Sequence, residues 1–202
     1  MMQCALLHVG KSYNGKTVLS DFTFEAEEGG IYALTGPSGC GKTTVLRLLC
    51  GLEQPDEGEV RRVLHAGVVF QEERFAEDAS AFENVRMILP GKTAGRAAKR
   101  ERDREIRLAL KELLPEDEID KPVRELSGGM RRRTAVVRAL MSPAPVLIMD
   151  EPFAGLDPGT REKTAAFIQE RRGGRTLIAA VHEPEELPFG IRVPVYNSGG
   201  MG

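Results

Sequence analysis

The nine residues Gly-Pro-Ser-Gly-Cys-Gly-Lys-Thr-Thr at 36–44 constrain this chain more than any other stretch. Gly36, Gly41, Lys42 and Thr43 satisfy G-x-x-x-x-G-K-[ST] in full. The flanks agree with it: the apolar run "IYALT" reads as a strand before the loop, and Lys42 to Cys50 reads as a helix stopped by Gly51. Glycines let the backbone wrap closely, so that Ser38, Gly39 and Cys40, after Pro37, carry successive N–H groups toward one anion. Lys42 brings a point charge for β- and γ-phosphates. The Thr43 hydroxyl is a ligand for Mg²⁺, and Thr44 extends the polar helix start. A strand, a phosphate loop and a helix in this order imply an α/β sheet that binds a nucleoside triphosphate.

The rest of the chain is read around that unit. "CALLHV" and "TVLSDFTFEA" read as strands joined at Asn14-Gly15, a strong turn signal. "QPDEGEV" reads as a turn, and 60–70 offers one or two further strands. Ser80 and Glu83 form a capping box ahead of "FENVRMIL". Residues 96–114 read as one amphipathic helix, with Ile106, Leu110, Leu113 and Leu114 on its apolar face. A second helix follows "LSGG", carrying Ala135, Val136, Ala139 and Leu140 inward. "PVLIMD" and "RTLIAAV" read as buried strands. Between them Asp157 caps a helix whose first residue is Pro158, running to about Arg172 and closed by Gly173-Gly174. The tail "RVPVYNSGG" reads as an edge strand, since Pro194 does not suit a central one. Strands and helices alternate at both ends while the middle is helical. The expected division is therefore a sheet core, 1–71 plus 144–202, and a helical insertion, 72–143.

Three more side chains fit triphosphate chemistry. Asp150 stands where a buried strand ends, so it points into the crevice at the carboxyl edge of the sheet, and Glu151 follows it. One carboxylate can hold the metal and the other can take a proton from attacking water. His182 ends the next apolar strand at the same edge and is suited to the γ-phosphate. Ser127, Gly128 and Gly129 form a second anion-type cradle ahead of a helix N-terminus. Composition excludes other partners: a net charge of −2 gives no nucleic-acid footprint, and "KRERDREIR" is mixed in sign, as on a solvated face. Cys4, Cys40 and Cys50 lack metal-ligand spacing and fit a reducing compartment. No apolar run approaches the roughly 20 residues of a membrane helix, and "MMQCALLHVGKSYNGK" does not read as a signal peptide. A cytoplasmic protein is expected, docked at any membrane by other chains.

With these motifs placed, the sequence resembles the ATP-binding subunits of ABC transporters over nearly its whole length. "GPSGCGKTT" is similar to Walker A, Gln71 in "VVFQEER" to the Q-loop, and Leu126–Met130 to the signature loop. "VLIMDE" is similar to Walker B with its catalytic glutamate, Ala154–Asp157 to the D-loop, and His182 to the switch histidine. Tyr13 matches the aromatic that stacks on adenine. The resemblance implies an ABC ATPase fold: a P-loop core, an N-terminal antiparallel β region and a helical insertion. It implies Mg²⁺-dependent ATP hydrolysis with Glu151, His182 and Gln71 catalytic, and Thr43, Gln71 and Asp150 around the metal. It further implies a head-to-tail pair of ATPase subunits, identical or closely paralogous. Ser127, Gly128, Gly129 and Asp157 of one would then serve the ATP of the other. Permease subunits would anchor the pair on the inner face of the cell membrane. "QEERF" followed by "ENV" looks most like the nitrate/sulfonate/taurine importer branch.

The sequence departs from the family in places. Met130 stands where the signature usually has glutamine, and "HEPEEL" carries glutamate after the histidine where aspartate is usual. Ending at Gly202, the chain is expected to lack the regulatory domain of some importer ATPases. A soluble ABC ATPase of an assembly or cell-envelope complex would keep every motif and is the alternative function. DNA-repair relatives need a long coiled-coil insertion, and translation-factor relatives carry two such domains. A regulator that binds without hydrolysing would not need Glu151 and His182. Two local expectations complete the reading. Cys40, beside Lys42 and a helix N-terminus, is expected to be a reactive thiol. The loop from Gln71 to about Val85 is expected to dock the permease, with Phe75, Phe82 and Val85 as apolar anchors and Glu72, Glu73, Glu77 and Asp78 as an acidic rim.

Overall fold

The computed structural model of the chain describes residues 2–89 and 95–196. The described residues pack as two compact units. One comprises Met1–Ala66, Ala144–Glu151 and Arg172–Gly202; the other comprises Gly67–Pro143 and Pro152–Arg171.

The first unit holds two sheets. Strands β1 (Met2–Tyr13) and β2 (Lys16–Glu27) form an antiparallel hairpin. Both turn residues, Asn14 at φ 49° and Gly15 at φ 77°, are left-handed, as a two-residue hairpin turn demands. Strand β4 (Glu57–Arg61) pairs with the free edge of β1, giving the order β2-β1-β4. Half of "QPDEGEV" is therefore strand rather than turn: β1 offers an unpaired edge that the sequence pattern alone does not reveal. The second sheet contains β3 (Ile31–Thr35), β6 (Val146–Asp150), β7 (Thr176–Ala180) and β8 (Ile191–Pro194), in the order β6-β7-β3-β8. All these pairings are parallel. Every residue of β6 and β7 is buried, which explains the apolar runs Val146–Met149 and Leu177–Ala180. Pro194 lies at the end of β8, on the sheet edge, where a missing N–H costs no ladder bond; residues 197–200 of the expected edge strand lie outside the described residues. Helix α1 (Lys42–Leu49) follows β3 through the glycine loop, and Gly51 (φ 69°) follows its end.

The second unit is mostly helical, entered from β5 (Ala66–Val69). Helix α2 (Ala81–Met87) starts with the complete capping box of Ser80 and Glu83. Helix α3 (Arg96–Leu113) buries Ile106, Ala109, Leu110 and Leu113 along one stripe. Helix α4 (Gly128–Met141) buries Thr134–Val137, Ala139 and Leu140, and also Arg132. Helix α5 (Pro158–Arg171) packs on α3 and α4. That packing is why 152–171 groups with 67–143, although it follows the strand of the Walker B-like run in sequence.

Candidate functional site

The carboxyl ends of β3, β6 and β7 bring the phosphate loop, Asp150–Glu151 and His182 to one edge of the parallel sheet. Two glycines of the loop are obligatory for different reasons. At Gly36 (φ 145°) a Cβ would stand 2.4 Å from the Val195 carbonyl oxygen, a backbone atom that cannot yield. Gly41 (φ 109°) begins the helix in a left-handed conformation, and a Cβ there would lie 2.8 Å from Val18 Cγ1. Lys42 is buried, and its ammonium donates to the carbonyls of Gly36 (2.7 Å) and Pro37 (3.2 Å). The cation is thus held inside the curve of the loop by neutral acceptors. An anion placed there would replace weak partners with a strong one. Pro37, Ser38 and Gly39 are exposed along the loop, and Thr44 is buried behind it.

Cys40 departs from expectation. It is only 2% exposed, and its Sγ would lie 2.8 Å from a Cβ at Gly36, on the inner side of the loop. The Cys40 N–H donates to the Pro37 carbonyl at 3.2 Å, and this tight turn folds the side chain against Gly36, so the thiol is shielded rather than presented. Cys4 and Cys50 are no more reactive: burial pushes their thiols up to about 11 and about 12.

Thr43 Oγ1 donates to Asp150 Oδ2 at 2.9 Å, and Asp150 is 1% exposed. A hydroxyl and a buried carboxylate that already converge form a hard-oxygen pair suited to Mg²⁺. Next to it, Glu151 Oε1 lies 3.1 Å from His182 Nε2. Glu151 has φ 51°, unusual for a residue with a Cβ, and its N–H donates to Ala180 O at 3.0 Å. That bond ties the chain after β6 to the end of β7 and turns the glutamate side chain toward the histidine. The His182 N–H is in turn held by Glu186 Oε2 at 3.0 Å. Glu186 was not singled out from the sequence; its spacing of four from His182 is the only signal there.

Tyr13 ends β1 with its ring partly exposed. Its hydroxyl bonds Glu53, which also accepts from Arg47 of α1 at 3.2 Å, and the Lys11 ammonium lies 5.4 Å from the ring centre. Burial, followed by the Glu53 bond, raises the phenol above its ordinary range. The ring is therefore tethered to the phosphate-loop helix through Glu53, a residue the sequence reading passed over.

In the second unit, Ser127 caps α4, accepting from Met130 N–H at 3.3 Å. Gly128 and Gly129 form the first turn, and a Cβ on Gly128 would meet nothing within 4 Å. No steric need among the described residues explains a glycine there. Asp157 accepts from Thr160 N–H at 3.0 Å at the start of α5, and that threonine's hydroxyl and N–H hold its carboxyl below the usual range. Gln71 is exposed just past β5.

Two of the three apolar anchors expected on the loop from Gln71 to Val85 are not presented at its surface. Phe82 (8% exposed) and Val85 (0%) are core residues of α2, with the Arg107 guanidinium 4.4 Å from the Phe82 ring centre. Phe75 is half-buried, with Arg138 at 4.5 Å and Arg131 at 5.4 Å from its ring centre. Three acids of the expected rim have arginine partners: Glu73 pairs with Arg131 (3.5 Å) and Arg132 (3.6 Å), Glu77 with Arg131 (2.7 Å), and Asp78 with Arg124. Arg132 also donates to the Phe70 carbonyl at 2.9 Å. Arg124 just before "LSGG" and Arg131 and Arg132 just after it claim these acids, and nothing in the local pattern announces the pairing.

Residues 19–154 match the family model described as ABC transporter. The chain is 36% identical to the spermidine/putrescine import ATP-binding protein PotA of Spiroplasma citri, over 97% of this chain and 59% of that protein. It is also 36% identical to the aliphatic sulfonates import ATP-binding protein SsuB 2 of Paraburkholderia xenovorans, over 94% of this chain and 74% of that one. Among solved structures it resembles the ATP-binding cassette MJ0796 in a dimeric post-hydrolysis state bound to ADP and Pi. The TM-score is 0.82 at 26% identity, covering 96% of this chain and 94% of that one. The chain thus spans nearly all of the cassette but about three fifths of the polyamine relative.

Proposed function

This chain belongs to the ABC transporter family of ATP-binding domains, and from that premise we propose that it is the ATP-hydrolysing motor subunit of a bacterial importer. The observation that carries the reading is the sheet edge, where the Thr43–Asp150 pair (2.9 Å) adjoins the Glu151–His182 pair (3.1 Å).

Thr43 and Asp150 would hold Mg²⁺ through one oxygen each, and Gln71 is the further residue that the family resemblance assigns to the metal. When bound, the ion supplies positive charge to the phosphate oxygens. Lys42 and the N–H groups of 38–43 bind and orient the triphosphate. Tyr13 takes the adenine. Glu151 accepts a proton from water as the water oxygen attacks the γ-phosphorus and the bond to the β,γ-bridging oxygen breaks, releasing ADP and phosphate. His182 holds the γ-phosphate oxygens in line for that displacement.

A second copy, or a close paralogue, would complete each site by presenting Ser127, Gly128 and Gly129 to the γ-phosphate, with Asp157 nearby. The open space at Gly128 suits an approaching phosphate. ATP would close the pair and product release reopen it, moving permease chains at the inner face of the membrane, where this chain sits as a peripheral cytoplasmic subunit. Relatives named for polyamine, sulfonate, Fe³⁺ and sulfate import lie together at 32–36% identity. Cargo choice is accordingly assigned to the other subunits, with the sulfonate branch one among several.

The test is Glu151→Gln. It should retain MgATP binding, lose hydrolysis by about 10²–10⁴-fold and accumulate an ATP-dependent dimer on size exclusion. Undiminished turnover would remove Glu151 from the mechanism.

A further inference from the structure

His182 is the first residue beyond the β7 ladder. The preceding N–H, of Val181, still donates to Leu34 O at 3.1 Å. The His182 N–H donates instead to a side chain, Glu186 Oε2, at 3.0 Å. Glu186 closes a one-turn 3-10 segment, Pro184–Glu186, and its own N–H bonds the Glu183 carbonyl at 3.0 Å. It is only 9% exposed. Burying a carboxylate is costly unless fixed donors compensate it, so its bond to one particular backbone N–H has a structural consequence. Glutamate four residues on reaches back and closes a ring that includes the histidine's Cα. The direction in which the imidazole leaves the sheet is set by that ring. His182 itself is largely exposed, with its side chain at 48%, so few packing contacts could hold it otherwise.

We propose that Glu186 is a positioning residue for hydrolysis: it locks the His182 backbone so that the imidazole stands at Glu151 and the γ-phosphate site. The proposal rests on the assignment of His182 to the γ-phosphate. Its effect falls on the chemical step. ATP is bound mainly by Lys42, the loop N–H groups and Tyr13, whereas in-line alignment tolerates little displacement of a γ-phosphate contact.

The experiment compares kcat and KM for MgATP in Glu186→Ala, Glu186→Gln, Glu186→Asp and His182→Ala, together with the Glu186→Ala/His182→Ala double variant, all in the full chain. Glu186→Ala should lower kcat about 10- to 100-fold with KM within about twofold. Glu186→Gln keeps an acceptor oxygen at the same reach and should keep at least half of kcat. Glu186→Asp keeps the charge but is one methylene short; it should fold and still lose kcat, which preserves the test should the alanine variant not fold. The double variant should be no slower than His182→Ala alone, since both lesions act through one imidazole. Full kcat in Glu186→Asp or in a folded Glu186→Ala, or a Glu186→Gln as slow as Glu186→Ala, would overturn the proposal while leaving His182 in place. Wild-type kcat in His182→Ala would remove the underlying assignment, and the proposal with it.

Discussion

Replacing Arg132 with alanine should destabilise the second unit by about 3 kcal/mol near neutral pH. The arginine is 7% exposed, donates to the Phe70 carbonyl at 2.9 Å and faces Glu73 at 3.6 Å. A hydrogen bond from a charged donor contributes about 1.5–3 kcal/mol. The two methylenes lost beyond Cβ contribute about 0.8 kcal/mol each where buried. Breaking a buried pair outright costs about 3–5 kcal/mol; that full penalty is not expected, because Glu73 keeps Arg131 at 3.5 Å. The loss should also depend on pH. Burial is the larger influence on Glu73 and raises its carboxyl above the ordinary range, against the lowering effect of Arg132 and Arg131. With its pKa raised on folding, the native protein binds more protons than the unfolded chain, so stability from this group falls as pH rises through that window. Removing Arg132 removes an influence that lowers the pKa and moves the folded value further up. The deficit of Arg132→Ala should therefore be smaller near about pH 5 than near about pH 7.5. Urea unfolding followed by circular dichroism at both pH values measures it; the chain has no tryptophan to serve as a fluorescent probe. A loss below about 1 kcal/mol, or the same loss at both pH values, would refute the reasoning.

Mixing Lys42→Ala chains with Ser127→Arg chains, each inactive alone, should restore ATPase activity, since one composite site in the mixed pair escapes both lesions; no recovery over the sum of the two would count against completion of the site in trans. Native protein should resist iodoacetamide at neutral pH, because Cys40 is enclosed while Cys4 and Cys50 are pushed up to about 11 and about 12. All three should label once urea unfolds the chain, and rapid inactivation that MgATP prevents would show that the Cys40 thiol faces the nucleotide after all.

Much of this protein was legible as one-dimensional pattern, because some physics is local. The strand–loop–helix around Gly36–Thr44, the Asn14-Gly15 hairpin, the Ser80–Glu83 capping box and the Pro158 helix start each depend on residues within a few positions of one another. The buried strands of Asp150 and His182 announced themselves by unbroken apolar runs, and their shared sheet edge follows from parallel topology. What the pattern misjudged involves partners distant in sequence. Cys40 has the sequence neighbours of an activated thiol, but the backbone path of the loop turns it inward. Phe82, Glu73, Glu77 and Asp78 read as free surface groups until Arg107, Arg124, Arg131 and Arg132 from other elements stack on or pair with them. Glu53 beneath Tyr13 is likewise a gift of packing. Backbone propensities and short-range capping act between near neighbours and can be read in order along the chain. Burial and charge pairing depend on which surfaces meet, and that is settled only when the helices close on one another.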